Sequence, residues 1–116
     1  MEGLTHQRTA YAQTLQGAVQ TILSRLSSLP SVKRISVFGS YGRGRRDLFT
    51  DLDILVIMET EEGFVERLRT LYGMLTVPVD LDLLCYTPAE WECVKDRPFF
   101  KHLREGEVVL YETKSA

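Results

Sequence analysis

Between Asp51 and Met58 the chain reads Asp-Leu-Asp-Ile-Leu-Val-Ile-Met, and its centre, Ile54-Leu55-Val56-Ile57, is apolar at every position. Successive side chains of a strand point to opposite faces. A strand that is apolar on both faces must therefore be covered from above and below. That requirement points to a sheet with helices packed on it.

The helices are legible in the spacing of apolar residues. Tyr11, Leu15, Ala18, Val19, Ile22 and Leu26 recur at three- and four-residue steps and predict an amphipathic helix over about residues 8–28. Pro30 ends it, because proline cannot continue a helix and biases its predecessor toward extended geometry. Val32 to Phe38 reads as a strand closed by Gly39. Thr60 is expected to cap a second helix whose stripe is Phe64, Leu68, Leu71, Tyr72 and Leu75. Val79 to Tyr86 reads as a third strand, and Thr87-Pro88-Ala89-Glu90 is a helix start with threonine at the cap and glutamate three residues on. Another helical turn is expected over Phe99 to Leu103, a last strand over Val108 to Tyr111, and a loose tail after Glu112. Helices alternating with strands predict an α/β (α+β) fold with one small mixed sheet, as a single domain over residues 1–116.

Composition narrows the class. Lys and Arg total 14 against 16 Asp and Glu, and this net charge of −2 argues against a general nucleic-acid coat or a basic membrane-surface helix. No apolar run reaches the roughly 18 residues a membrane span needs, and the first residues lack the pattern of a signal peptide. Cys85 and Cys93 are spaced neither as a zinc site nor as a redox pair, so both are expected to be reduced packing residues in a cytoplasmic protein. His6 and His102, without a ligand pattern around them, are expected at the surface. Trp91, Phe99 and Phe100 are expected in the core.

Chemistry concentrates between Phe38 and Asp53. A strand ends in Gly39-Ser40, a glycine-rich turn leads into the basic run Arg43, Arg45, Arg46, and Asp51-Leu52-Asp53 opens the next strand. Two aspartates at i and i+2 of a strand share a face. Side by side their carboxylates repel, and a hard divalent ion held by oxygen relieves the repulsion. Magnesium often shares its shell with substrate phosphates, so this arrangement suits metal-assisted phosphoryl or nucleotidyl transfer. Asp80 and Asp82 also share a face, in the third strand, and either can join the same cluster if that strand lies alongside. A P-loop is excluded because Arg45-Arg46 stands in place of its Lys-Ser/Thr, and a dinucleotide fingerprint lacks its third glycine.

The segment from Gly39 to Asp53 resembles the signature of the nucleotidyltransferase fold of the DNA polymerase β type, and within it the small minimal nucleotidyltransferases (MNT). Their pattern is Gly-Ser, Ala-Arg-Gly and Ser-Asp-x-Asp at fixed spacing. Gly42 replaces the usual alanine and Thr50 the usual serine. Asp82 to Glu90 and Val109 to Glu112 are similar to later parts of the family, so the resemblance spans about Val32 to Glu112. It implies that Gly39 and Ser40 hold the β- and γ-phosphates of ATP or another nucleoside triphosphate, with Arg43 close by. It implies that Asp51 and Asp53 hold two Mg²⁺ ions, that Asp82 is the third carboxylate, and that Asp80 stands behind it. It implies transfer of a nucleoside monophosphate, AMP from ATP in some members, to a hydroxyl.

MNT proteins of this kind pair with a small helical HEPN protein as toxin and antitoxin. The resemblance therefore implies a protein acceptor. The alternative is a non-catalytic antitoxin that only sequesters its partner, and homo-oligomers remain open. A third reading, nucleic-acid binding through Arg43–Arg46, predicts affinity that falls steeply with salt, and the net charge argues against it.

Overall fold

A computed structural model describes residues 2–113. The elements run α1 (Glu2–Ser27), β1 (Val32–Phe38), α2 (Gly39–Gly42), β2 (Leu52–Met58), α3 (Phe64–Met74), β3 (Leu81–Tyr86), α4 (Pro88–Val94), α5 (Pro98–Glu105) and β4 (Val108–Glu112). The four strands form one mixed sheet in the order β3-β2-β1-β4. β1 is antiparallel to both β2 and β4, and β2 is parallel to β3.

The apolar strand sits in the middle of the sheet, and its two faces are covered by different layers. Leu52, Ile54, Val56 and Met58 join Leu15, Ala18, Val19, Ile22 and Leu26 of α1 and Leu71 of α3 in the larger core. Leu55 and Ile57 point the other way and pack with Trp91 of α4 and Leu103 of α5. Alternation of this kind is what a central strand with cover on both sides requires. Among these, Ile54, Leu55 and Val56 are wholly buried. Full burial of one such side chain is worth about 1.5–3 kcal/mol.

Hydrogen bonds tie the layers at their ends. Arg25, in the last turn of α1, donates to the Met74 carbonyl at the end of α3 (2.7 Å). The Tyr72 hydroxyl accepts from the Leu83 N–H (2.9 Å) and donates to the Leu81 carbonyl (3.3 Å), so it occupies backbone groups on the free edge of β3. Edges left open in this way are templates for unwanted strand pairing. The expected capping box of α4 is present, with Thr87 and Glu90 each bonded to the other's N–H. Glu90 also takes the buried Arg67 guanidinium of α3 at 2.5 Å, which joins α3 to α4.

Several boundaries depart from expectation. α3 begins at Phe64 behind Gly63, because the Thr60 hydroxyl accepts from the Glu62 N–H and caps a turn ahead of the helix. β3 begins at Leu81 rather than Val79, so Asp80 precedes the strand. Cys85 is buried and its thiol is pushed up to about 11 by burial, but Cys93 is exposed on α4 and is not a packing residue. Trp91 is buried, Phe100 packs at the margin, and Phe99 is 62% exposed because it lies on the outer side of α5. His102 is exposed, as expected. The His6 side chain and the tail beyond Thr113 lie outside the described residues.

The Arg67–Glu90 pair sets a pH dependence. The hydrogen bond from Arg67, helped by the Thr87 N–H, holds the Glu90 carboxyl below its ordinary 4.5. A carboxyl with a depressed folded-state pKa contributes stability above the unfolded pKa and loses it as pH falls through the folded value. Glu90→Gln should therefore lower the thermal midpoint at neutral pH and flatten the acid limb of a stability-against-pH curve. An unchanged acid limb would contradict this.

Candidate active site

Parallel pairing of β2 with β3 sets Asp53 opposite Asp82. Antiparallel pairing of β1 with β2 sets Asp53 opposite Phe38, the residue before Gly39. The glycine turn and two of the carboxylates are thus neighbours because three strands end or begin at one level. By alternation, Asp53 faces the same side as Leu55 and Ile57, where α4 and α5 lie.

Gly39 shows why this turn tolerates no side chain. Its φ is +66°, and a Cβ there would run into the Asp53 carboxylate. The chain then makes one helical turn, with Arg43 N–H donating to the Gly39 carbonyl (3.1 Å) and Arg45 N–H to the Ser40 carbonyl (2.9 Å). Tyr41 plugs the turn into the larger core. Gly42 is just as constrained. A Cβ there would meet the Gly106 carbonyl, and the Val37 carbonyl at 3.0 Å. The alanine usual in the resembling family has no room here, because the corner between α5 and β4 presses its backbone against the turn.

The three arginines turn to internal contacts. Arg46 stacks over Tyr41 (3.4 Å from the ring centroid) and donates to its carbonyl (2.7 Å). Arg45 pairs with Asp47 at 2.6 Å. Arg43 lies over Gly106, with its guanidinium 3.4 Å from the His102 ring. The structure therefore brings Gly39 and Asp53 into contact and sets Asp82 beside Asp53. It carries the Arg43 side chain toward α5.

The loop that delivers Asp51 is tied together by hydrogen bonds. Thr50 is fully buried, and its hydroxyl accepts from the Asp47 N–H (3.0 Å) and donates to the Asp47 carboxylate (3.3 Å). That carboxylate also takes the Phe49 N–H (2.9 Å). A serine hydroxyl has the same two capacities, so Thr50 does here what the usual residue would do. Asp51 itself is exposed, one residue ahead of β2. Asp80 contributes a carbonyl that accepts the Leu52 N–H (3.0 Å), which pins the start of β2 to the segment before β3.

Electrostatics show that the carboxylates feel one another. Burial, then Asp82, then Asp51, push the Asp53 carboxyl above its ordinary 3.8. Two carboxylates paired in register are relieved by a cation, so Asp53 and Asp82 fit a divalent metal ion that completes its shell with phosphate oxygens and water. Among the described residues no group of three His, Cys, Asp or Glu side chains is placed to hold a metal ion together, so Asp51 does not join the Asp53–Asp82 pair in this arrangement. Tyr11 of α1, which nothing in the motif marks, reaches this loop: its hydroxyl donates to the Thr50 carbonyl at 3.2 Å. Burial, then Asp51 and Asp80, push its phenol above 10.

The nucleotidyltransferase domain model matches residues 19–77, just over half of the chain. The chain belongs to the nucleotidyltransferase family. It is by family a transferase. Three solved structures share the fold of this nucleotidyltransferase. A candidate nucleotidyltransferase from Sulfolobus solfataricus is 18% identical, with a TM-score of 0.57 over 97% of this chain and 90% of that one. A mutant of the MntA–HpeT toxin–antitoxin is 19% identical, with a TM-score of 0.53 over 86% and 74%. A toxin–antitoxin with AMP-PNP is 17% identical, with a TM-score of 0.51 over 85% and 74%. No curated protein matches the chain.

Two substitutions test this geometry. Gly42→Ala should cost about 1–3 kcal/mol, the usual penalty for forcing a methyl into filled space, read by denaturant unfolding. Asp53→Asn removes the repulsion and should raise the thermal midpoint at pH 7, because a carboxyl with a raised folded-state pKa costs stability once ionised. A lower midpoint would show that the carboxylate is structurally supported rather than strained.

Proposed function

We propose that this nucleotidyltransferase, working as one domain over residues 1–116 in the cytoplasm, transfers a nucleoside monophosphate from ATP or a related triphosphate to a hydroxyl of a protein partner. The reading rests on one observation above all: Asp53 and Asp82 stand in register beside the Gly39 turn. The toxin–antitoxin neighbours support a toxin partner, and the family resemblance supports a small helical HEPN protein in that role. The neighbour holding AMP-PNP supports an adenine nucleotide as donor.

Each residue then has a task. Gly39 leaves its backbone open to the β- and γ-phosphates, and the Ser40 hydroxyl adds a donor. Arg43 swings from Gly106 toward the phosphates when they arrive. Asp51, Asp53 and Asp82 would hold Mg²⁺. The bound metal supplies charge neutralisation at the phosphates and a more acidic acceptor hydroxyl. On the acceptor side, Asp82 orients the hydroxyl whose oxygen forms the new bond to the α-phosphorus. The bond from that phosphorus to the β-phosphate oxygen breaks in line, pyrophosphate leaves, and the hydroxyl proton goes to solvent.

Calorimetric titration of ATP, with and without Mg²⁺, should show binding that needs the metal. Asp51→Asn should weaken it at least about a hundredfold, since even residues behind a metal ligand are worth 10–100-fold. Folded wild-type protein that binds no ATP in the presence of Mg²⁺ would overturn the catalytic reading and leave sequestration of the partner.

A further inference from the structure

We propose that Tyr11 is a positioning residue for the metal-binding loop, acting through the Thr50 carbonyl on Asp51. This rests on the functional reading above and extends it to α1, which the motif does not include.

The phenol and the carbonyl are 39 residues apart in sequence, yet their hydrogen bond is 3.2 Å. Thr50 is fully buried, and its side chain is already committed to Asp47 at both its donor and its acceptor capacity. Its N–H is committed as well, to the Asp47 carbonyl at 3.1 Å. The Thr50 carbonyl is therefore the remaining polar group of that residue, and Tyr11 supplies its partner. Asp51 follows directly and is itself exposed. An exposed aspartate can ligate with defined geometry only if the backbone ahead of it is fixed. The other side of the loop is held by the Leu52 N–H on the Asp80 carbonyl, 3.0 Å. The peptide that carries Asp51 is thus clamped from α1 on one side and from the β3 approach on the other.

The same ring also lines a small cleft with Val77, Pro78, Val79 and Asp80. Tyr11 therefore bonds to one approach to the carboxylate strands and shares a cleft with the other. A helix lying on one face of the sheet sets the aim of a carboxylate at its end.

The test is Tyr11→Phe, which removes one hydroxyl and keeps the ring in the core. Leu15→Val, a cavity-forming change one turn further along α1, serves as a control for lost stability without a lost hydrogen bond. Mn²⁺ affinity is read by electron paramagnetic resonance of the free ion, with and without ATP. Tyr11→Phe should bind Mn²⁺ about fivefold more weakly, the effect of one neutral hydrogen bond, while Leu15→Val binds as wild type does. Wild-type affinity in Tyr11→Phe would overturn the proposal and leave the functional reading intact. Equal weakening in both variants would also overturn it, as an effect of stability alone. Wild-type protein that takes up no Mn²⁺ would remove both readings together.

Discussion

The parallel pairing of β2 with β3 is the contact on which the rest depends. It sets Asp53 against Asp82 in register, and the two carboxylates resist that placement. Two like charges side by side at a partly buried strand end are unfavourable, and one of them responds by taking up a proton more readily. What holds them there is the apolar sequence downstream. Ile54, Leu55 and Val56 are fully buried between two helical layers, and slipping the strand by one residue would turn every one of these side chains to the opposite face. Burial of several such residues outweighs a local repulsion by a wide margin. The fold thus holds two acids together at its rim, where a bound cation would relieve the cost.

Around that rim, backbone approaches backbone. Gly39 has its positive φ because the turn passes over Asp53, and Gly42 has no side chain because Gly106 lies against it. The corner that carries Gly106 is fixed in turn. Glu107 accepts from both Arg34 (2.5 Å) and the buried Ser36 hydroxyl, and its side chain is only 7% exposed. A buried carboxylate is tolerated when a cation and a hydroxyl satisfy it. The glycine turn is thus backed by an ion pair on β1, far from the motif in sequence. A cleft of about 960 Å³ opens near this pair, over Ile57 and Trp91, but the three aspartates do not line it.

Much of this was legible in the residues. β1 runs from Val32 to Phe38 as its β-branched pattern and terminal glycine dictate, and the capping box of α4 follows from four consecutive residues. Asp51, Asp53 and the glycine turn announce themselves because their spacing is local. Other features depend on contacts between distant segments. Gly42 reads as a mild departure until Gly106, near the other end of the chain, is seen against it. Tyr11 reads as one member of an apolar stripe, since periodicity places its ring but says nothing of its hydroxyl. Asp80 reads as a strand acid, while in the structure its carbonyl pins β2. Thr60 and Gly63 compete for one helix start, and the outcome turns on Glu62 rather than on propensity.

The central claim is that the rim formed by Gly39, Asp51, Asp53 and Asp82 binds a divalent cation. The most direct measurement is paramagnetic broadening of backbone amide resonances by trace Mn²⁺ in isotopically labelled protein. The account predicts that signals of Gly39, Ser40, Asp51 to Asp53 and Leu81 to Leu83 broaden first and recover on adding excess Mg²⁺. Broadening centred on the acidic residues near Arg34, with the signals from 51 to 53 left sharp, would contradict it.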